Sequence, residues 1–135
     1  MLEGKVILLV DDDLSILELF EQRLRQEGAI VELAHNGEEA INMAESNHPH
    51  VILLDLMMPD VDGFEVLKAL KENPSTQNIP ILVHTVLLES DSYLRAKELG
   101  ASGFLVKTEA MPADVVEKIK QTLVAVAESE AQLSS

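Results

Sequence analysis

Five residues with side chains suited to metal or phosphate chemistry each follow directly after a run of apolar residues. Asp11 and Asp12 follow the first run, and Asp55 follows a later one. Thr85 and Lys107 stand at the ends of two further runs. Carboxylates are oxygen ligands of the kind that Mg²⁺ prefers, and a carboxylate can also attack phosphorus to form an aspartyl phosphate. A lysine ammonium and a threonine hydroxyl can stabilise phosphoryl oxygens. If the fold brings these side chains together, metal-assisted phosphoryl transfer is the chemistry available to them.

The position of Asp55 depends on the apolar run that precedes it, Val51–Leu54. An apolar run without alternation is typical of a strand that is buried on both faces of a parallel sheet. The turn residues Met58-Pro59-Asp60 and Asp62-Gly63 follow Asp55, so the acid lies at the carboxyl end of the strand. Open α/β sheets bind ligands at that edge. This stretch alone leaves open the alternative that Asp55 merely caps the strand and stays solvated.

The same pattern recurs along the chain, with strands and helices in alternation. The predicted strands are Val6–Val10, Ile30–Ala34, Val51–Leu54, Ile79–Thr85 and Gly103–Val106, and the predicted helices begin near Leu14, Gly37, Phe64, Asp91 and Pro112. Such alternation predicts an α/β domain with a parallel sheet, right-handed crossovers and helices on both faces. Since parallel strands place their carboxyl ends together, the five chemically suited residues should share one edge of the sheet.

The sequence also indicates where the first helix begins and where the last helix ends. The first helix can be capped either by Asp13 or by a capping box of Ser15 and Glu18. The stripe of apolar residues in the last helix ends near Val126. We therefore expect one domain over residues 1–127 and a frayed tail over residues 128–135.

Three carboxylates at one point repel one another, and burial raises their pKa values unless a cation intervenes. Oxygen ligation without cysteine or convergent histidine suits Mg²⁺, completed by water and phosphate. Taken singly, Lys107 could form a surface salt bridge and Thr85 could be an ordinary β-branched strand residue. Their positions at matching strand ends favour the functional interpretation of both.

Composition restricts the remaining possibilities. The 135 residues suit one domain, and 10 Lys plus Arg against 24 Asp plus Glu give a formal net charge of -14. That charge argues against binding to nucleic acid or to anionic membranes. With no cysteine, disulfides, thiolate metal sites and cysteine nucleophiles are excluded. The amino-terminal apolar run is too short for a signal peptide or a membrane span, so we expect a cytoplasmic location.

Four motifs, VDDD at 10–13, DLMMPDVDG at 55–63, HT at 84–85 and GASGFLVK at 100–107, occur in order. With this spacing, the chain from about Lys5 to Val126 resembles the receiver domain of two-component response regulators. The resemblance implies a flavodoxin-like, doubly wound, five-stranded parallel sheet in the order 2-1-3-4-5, with five helices.

The resemblance also implies roles for individual residues. Asp55 would be the phosphoacceptor and Lys107 the phosphate-contacting lysine. Asp12 and Asp55 would ligate Mg²⁺, with Asp11 nearby or acting through water and Met57 offering its backbone carbonyl. The switch residues would be Thr85 and Phe104.

In function, the resemblance implies a signalling domain that catalyses only its own phosphorylation and dephosphorylation. The phosphoryl group would come from a histidine kinase or a phosphotransfer protein, and the readout would be contact with a downstream protein. Whether the chain is a diffusible regulator or a phosphorelay intermediate stays open.

The chain departs from the usual pattern of the family at four places, one of which is Ser102-Gly103, where many DNA-binding members carry an acidic pair. Val86 stands where a small residue is usual, and Phe104 lacks the hydroxyl of the tyrosine often found there. Thr108 replaces a proline, which predicts a trans bond after Lys107, because a cis bond before a non-proline residue costs about 2.5 to 4 kcal/mol.

Two other functions compete with the signalling interpretation. A Mg²⁺-dependent phosphohydrolase of the haloacid dehalogenase type also uses an Asp nucleophile, but its second acid would stand at position 57, where this chain has Met57. A receiver-like interaction module that never takes up phosphate would be expected to lack one of the acids or the lysine, and all are present.

Overall fold

The computed structural model describes residues 2–58, 62–86, 90–107 and 111–134, with side chains through Glu130. The expected turn at Pro59 and Asp60 and the expected trans bond to Thr108 lie outside these residues. The strands are β1 (Val6–Val10), β2 (Ile30–Ala34), β3 (Val51–Leu54), β4 (Ile81–Thr85) and β5 (Gly103–Val106). The helices are α1 (Leu14–Gln26), α2 (Gly37–Asn47), α3 (Gly63–Glu72), α4 (Ser90–Glu98) and α5 (Pro112–Ser134).

The strands form one parallel sheet in the order β2-β1-β3-β4-β5. The predicted fold class and strand order are therefore confirmed. None of the helices in the described part of the chain is long and apolar enough to cross a membrane.

Each face of the sheet packs against its own set of helices. Successive side chains of a strand point to opposite faces, so Leu54 contributes to the core beneath α2 and α3 while Leu53 contributes to the core beneath α1 and α5. Both cores are buried, which explains why β1 and β3 are apolar without alternation.

Side-chain caps fix where three of the helices begin. Asp13 Oδ1 accepts from the backbone N–H groups of Ser15 and Ile16, so Asp13 caps α1 and the capping-box alternative is not needed. Asn36 caps α2 and Asp62 caps α3 in the same way. These caps follow the carboxyl ends of β1, β2 and β3, so they set the course of the loops beside the expected site.

Two element boundaries differ from the sequence prediction. β4 begins at Ile81 rather than Ile79, because its pairing with β3 starts at Ile81 and Pro80 has no N–H to donate. α5 continues to Ser134, through the segment that we expected to fray. This segment contains Ala, Glu, Gln and Leu, which favour helix, and neither Gly nor Pro, so the helix continues beyond the core that its first half covers.

Candidate functional site

The three acids converge at the carboxyl edge of the sheet. One carboxylate oxygen from each of Asp11, Asp12 and Asp55 lies within 4.8 Å of the others. The register causes this convergence, because Val10 pairs with Leu54, and the Asp55 N–H donates to the carbonyl of Val10 at 3.0 Å. Asp11 and Asp55 are buried at 3% exposure each, whereas Asp12 is exposed. Asp55 is thus not the solvated cap that the sequence left open.

Lys107 joins two of these acids. Its Nζ lies 2.7 Å from Asp11 Oδ2 and 3.0 Å from Asp55 Oδ2, and its side chain is only 12% exposed. The backbone N–H of Lys107 donates to the carbonyl of Thr85 at 2.7 Å, which holds the lysine at the end of β5. The ion pairs are therefore part of a buried cluster and not a surface salt bridge.

Burial and the contacts with Lys107 act in opposite directions on the pKa of Asp55, and burial and the contacts with the acids do so on the pKa of Lys107. Burial raises the pKa of Asp55, and the Asp11 charge adds to the rise, while the Met57 N–H and Lys107 partly offset it. Burial alone would lower the pKa of Lys107, but its contacts with Asp11 and Asp55 outweigh that effect and raise it. The lysine therefore stays charged beside a carboxylate whose ionised form is costly.

The donor set fits a hard divalent cation. Three carboxylates face one ammonium group, so the cluster keeps an excess of negative charge, and Asp12 lies on its exposed side. Oxygen donors of this kind suit Mg²⁺. Met57 lies at the same place, with its N–H donating to Asp55 Oδ1 at 3.0 Å. A ligand role for its carbonyl stays a prediction.

The two expected switch residues lie on neighbouring strands. Thr85 is fully buried at the end of β4, and Phe104 is half-buried in β5. Phe104 pairs with Val83, two residues before Thr85, so both side chains belong to the same face of the sheet. The Phe104 ring meets the Tyr93 ring of α4 edge to face, with centroids 5.6 Å apart.

Two of the residues that follow β3 and β4 have exposed apolar side chains: Met57 is 51% exposed and Val86 is 47% exposed. Leu87, which we also expected beside the site, lies outside the described residues. The exposed Val86 and Met57 offer no polar group that could orient a water molecule near Asp55.

Sequence reasoning gave no role to His84, the neighbour of Thr85. The His84 ring lies on the α1 face of β4, with its centroid 5.2 Å from that of Phe20 and the two planes perpendicular. It lines a cavity of about 10 Å³ together with Asp11, and its buried Nε2 has no hydrogen-bond partner among the described residues. Burial, aided by the Lys107 charge, lowers the pKa of His84 to about 4. Its only sequence signal was an unusual polar residue within an apolar strand.

Arg95 was also missed. Its guanidinium carbon lies 4.2 Å from the centroid of the Phe64 ring, which joins α4 to the first turn of α3. In the sequence, Arg95 is one of several charged residues on a short polar helix, so no pattern distinguished it.

Comparisons with known proteins agree with this geometry. The family model described as "Response regulator receiver domain" matches residues 7–120. Response regulator PleD of Caulobacter vibrioides is 42% identical over 101 residues, which cover 75% of this chain and 22% of PleD. The alkaline phosphatase synthesis transcriptional regulatory protein PhoP of Bacillus subtilis is 38% identical over 120 residues, which cover 89% of this chain and 49% of PhoP. The chain thus spans less than half the length of either relative.

Solved structures show the same likeness over nearly complete chains. A CheY-like receiver domain protein from Methanospirillum hungatei JF-1 has a TM-score of 0.86 at 29% identity, with 93% of this chain and 98% of that one covered. Chemotaxis response regulator CheY4 of Vibrio cholerae has a TM-score of 0.80 at 32% identity, with 87% and 97% covered. Together with the family match over residues 7–120, these findings establish that the chain belongs to the response regulator receiver domain family.

Proposed function

We propose that Asp55 accepts a phosphoryl group and that the domain signals through the change this causes. The observation that carries the proposal is the contact between the buried Asp55 carboxylate and Lys107 Nζ, beside Asp11 and Asp12. A nucleophile, a fixed positive charge and a set of acids for a cation are thereby present within one cluster.

The donor would be a phosphohistidine on a histidine kinase or a phosphotransfer protein. A carboxylate oxygen of Asp55 attacks phosphorus, an O–P bond forms, and the P–N bond breaks with its electron pair going to the leaving imidazole. Lys107 stabilises the phosphoryl oxygens by its charge, and the Thr85 hydroxyl donates a hydrogen bond to one of them.

Mg²⁺ would be held by Asp11, Asp12, Asp55 and the Met57 carbonyl. When bound, the ion would supply further positive charge for the phosphoryl oxygens. Lys107 already contacts Asp11 and Asp55, so it would compete with the ion for these two carboxylates.

The readout would be a protein-binding surface on α4, β5 and α5. Thr85 would move toward the phosphoryl group and Phe104 would turn inward. The surroundings of the exposed Tyr93 and Leu94 side chains would then change, and with them the surface offered to a partner. The formal charge of -14 supports a downstream protein target rather than a nucleic acid. The domain would catalyse only its own phosphorylation and dephosphorylation.

A phosphohydrolase of the haloacid dehalogenase type is less well supported. The residue two positions after Asp55 is Met57, whose half-exposed thioether cannot transfer a proton. A receiver-like module without phosphate chemistry is also less well supported, because two of the acids are buried together with the lysine at a cost in desolvation.

The test is incubation with acetyl phosphate and Mg²⁺, followed by intact-mass measurement. We expect the parent to gain one phosphoryl group and Asp55→Asn to gain none. Asp13→Asn is the matched control, because it makes the same change at a neighbouring acid and asparagine keeps the α1 cap. Labelling of Asp55→Asn at the parental rate would refute the assignment, and continuous release of inorganic phosphate without a retained group would favour a hydrolase.

A further inference from the structure

Ala96 is the one buried residue of helix α4, and two of its other side chains make ring contacts with the rest of the described structure. Tyr93 contacts Phe104 on the sheet, and Arg95 lies 4.2 Å from the Phe64 ring centroid. Phe64 is only 8% exposed, and the guanidinium group of Arg95 lies over its ring. Arg95 therefore binds α4 to α3, whereas Tyr93 binds it to the switch strand.

The start of α3 is connected to Asp55 by two hydrogen bonds from backbone N–H groups to side-chain carboxylates and by one backbone bridge. Asp55 Oδ1 accepts from the Met57 N–H at 3.0 Å. Met57 pairs with Asp62 in an isolated antiparallel bridge. Asp62 Oδ1 in turn accepts from the Phe64 N–H at 2.9 Å. We call this series of contacts, Asp55–Met57–Asp62–Phe64–Arg95, the loop path.

Close packing at Gly63 leaves the loop path little freedom. The Gly63 N–H donates to the carbonyl of Leu56 at 3.1 Å. A Cβ atom at position 63 would lie 2.3 Å from Leu56 Cα, so the two backbones are already in direct contact. A displacement of Leu56, the residue after Asp55, must therefore displace the start of α3 and with it Phe64.

We propose that the loop path couples Asp55 to α4 by a route that does not pass through Thr85 or Phe104. When Asp55 Oδ1 changes partners, the Met57 hydrogen bond changes, Phe64 shifts, and the Arg95 contact is altered. Arg95 acts here as a positioning residue for α4. The trigger rests on the proposed function of Asp55, but the contacts themselves belong to the unphosphorylated protein, so coupling along them can be measured without phosphate.

The first experiment uses the unphosphorylated chain in metal-free buffer and compares backbone amide spectra of Arg95→Met, Arg95→Lys and the parent. Arg95→Met removes the charge at similar length, and Arg95→Lys keeps the charge without the planar group. The control is Lys97→Met, on the same helix but lining the cleft toward β5.

We expect Arg95→Met to shift the amide signals of Met57, Asp62 and Phe64, and Arg95→Lys to shift them less. Amide exchange in α4 should become about two- to five-fold faster in Arg95→Met, as loss of an exposed cation–π contact implies. Lys97→Met should leave the Met57 and Asp62 signals in place. Unmoved Met57 and Asp62 signals in Arg95→Met would overturn the loop path.

The second experiment follows the Arg95 side-chain Nε–H signal while Mg²⁺ and then beryllofluoride, a phosphoryl mimic, are added. The signal should still respond in Phe104→Leu, where the switch aromatic is lost, and should respond much less in Phe64→Leu. The reverse result would show that coupling passes through Phe104 and would overturn the inference. If the Asp55 amide itself does not respond, the proposed function fails, and the first experiment alone decides the loop path.

Discussion

His84 makes the stability of the folded chain depend on pH. Its pKa is lowered from 6.5 to about 4, chiefly because the ring is buried and secondarily because Lys107 is positive. Between these two values the unfolded chain binds a proton that the folded chain does not bind. The free energy of unfolding must therefore fall as the pH is lowered through this range.

The size of the effect follows from the pKa difference. At about 1.4 kcal/mol per pKa unit, the full loss is about 3 kcal/mol, of which about 2 kcal/mol falls between pH 7 and pH 5. Such a loss is a large share of the stability of a single domain. The assay is urea unfolding at several pH values in buffer without divalent cations. Under these conditions the change in the free energy of unfolding reports proton binding and not metal binding.

The perturbation is His84→Leu, which places an apolar side chain among Leu9, Leu17 and Leu53. We expect the variant to lose about 2 kcal/mol less than the parent between pH 7 and pH 5. His84→Met provides a second apolar variant in case leucine packs poorly, and His35→Gln, at an exposed histidine, controls for the loss of one histidine. Parental pH dependence in both apolar variants would refute the reasoning.

Three further predictions concern the site and its loop. Asp12→Ala should weaken Mg²⁺ binding roughly tenfold or more while raising the melting temperature in metal-free buffer, because one ligand and one like charge are removed; unchanged affinity in a titration would contradict this placement of the ion. Val86→Ala should shorten the lifetime of phosphorylated Asp55, measured by mass, because it opens access for water; an equal lifetime would show that Val86 does not limit hydrolysis. Gly63→Ala should destabilise the fold by about 2 kcal/mol or more in urea unfolding, because its Cβ would overlap the backbone of Leu56; parental stability would contradict the close packing described there.

The acids and the lysine could be placed from the sequence because their position depends on strand ends. Apolar runs before Asp11, Asp55 and Lys107 identify strands, and the parallel arrangement then brings their ends together. The sequence could not show that Lys107 contacts both Asp11 and Asp55, because that depends on side-chain conformation.

Contacts between distant elements were beyond sequence reasoning for a similar reason. β4 is buried on both faces, so its apolar pattern does not reveal that His84 packs on Phe20 of α1. Arg95 contacts Phe64 although no local pattern distinguishes it from other helix-surface charges. The sequence contains no burial signal for the continuation of α5 past its core stripe, because the described side chains after Val126 are exposed.

The last part of α5, which continues beyond the core to Ser134, converts a small tilt of the helix into a larger displacement of its end. From Leu123 to Ser134 the helix is about 16 Å long, so a tilt of about 10° at the sheet would move its end by about 3 Å. Within this part, the described side chains after Leu123 are exposed apart from Val126, which is half-buried. A spectroscopic label near the end of α5 would therefore report a small rotation of the helix as a displacement of about 3 Å, which is readily measured.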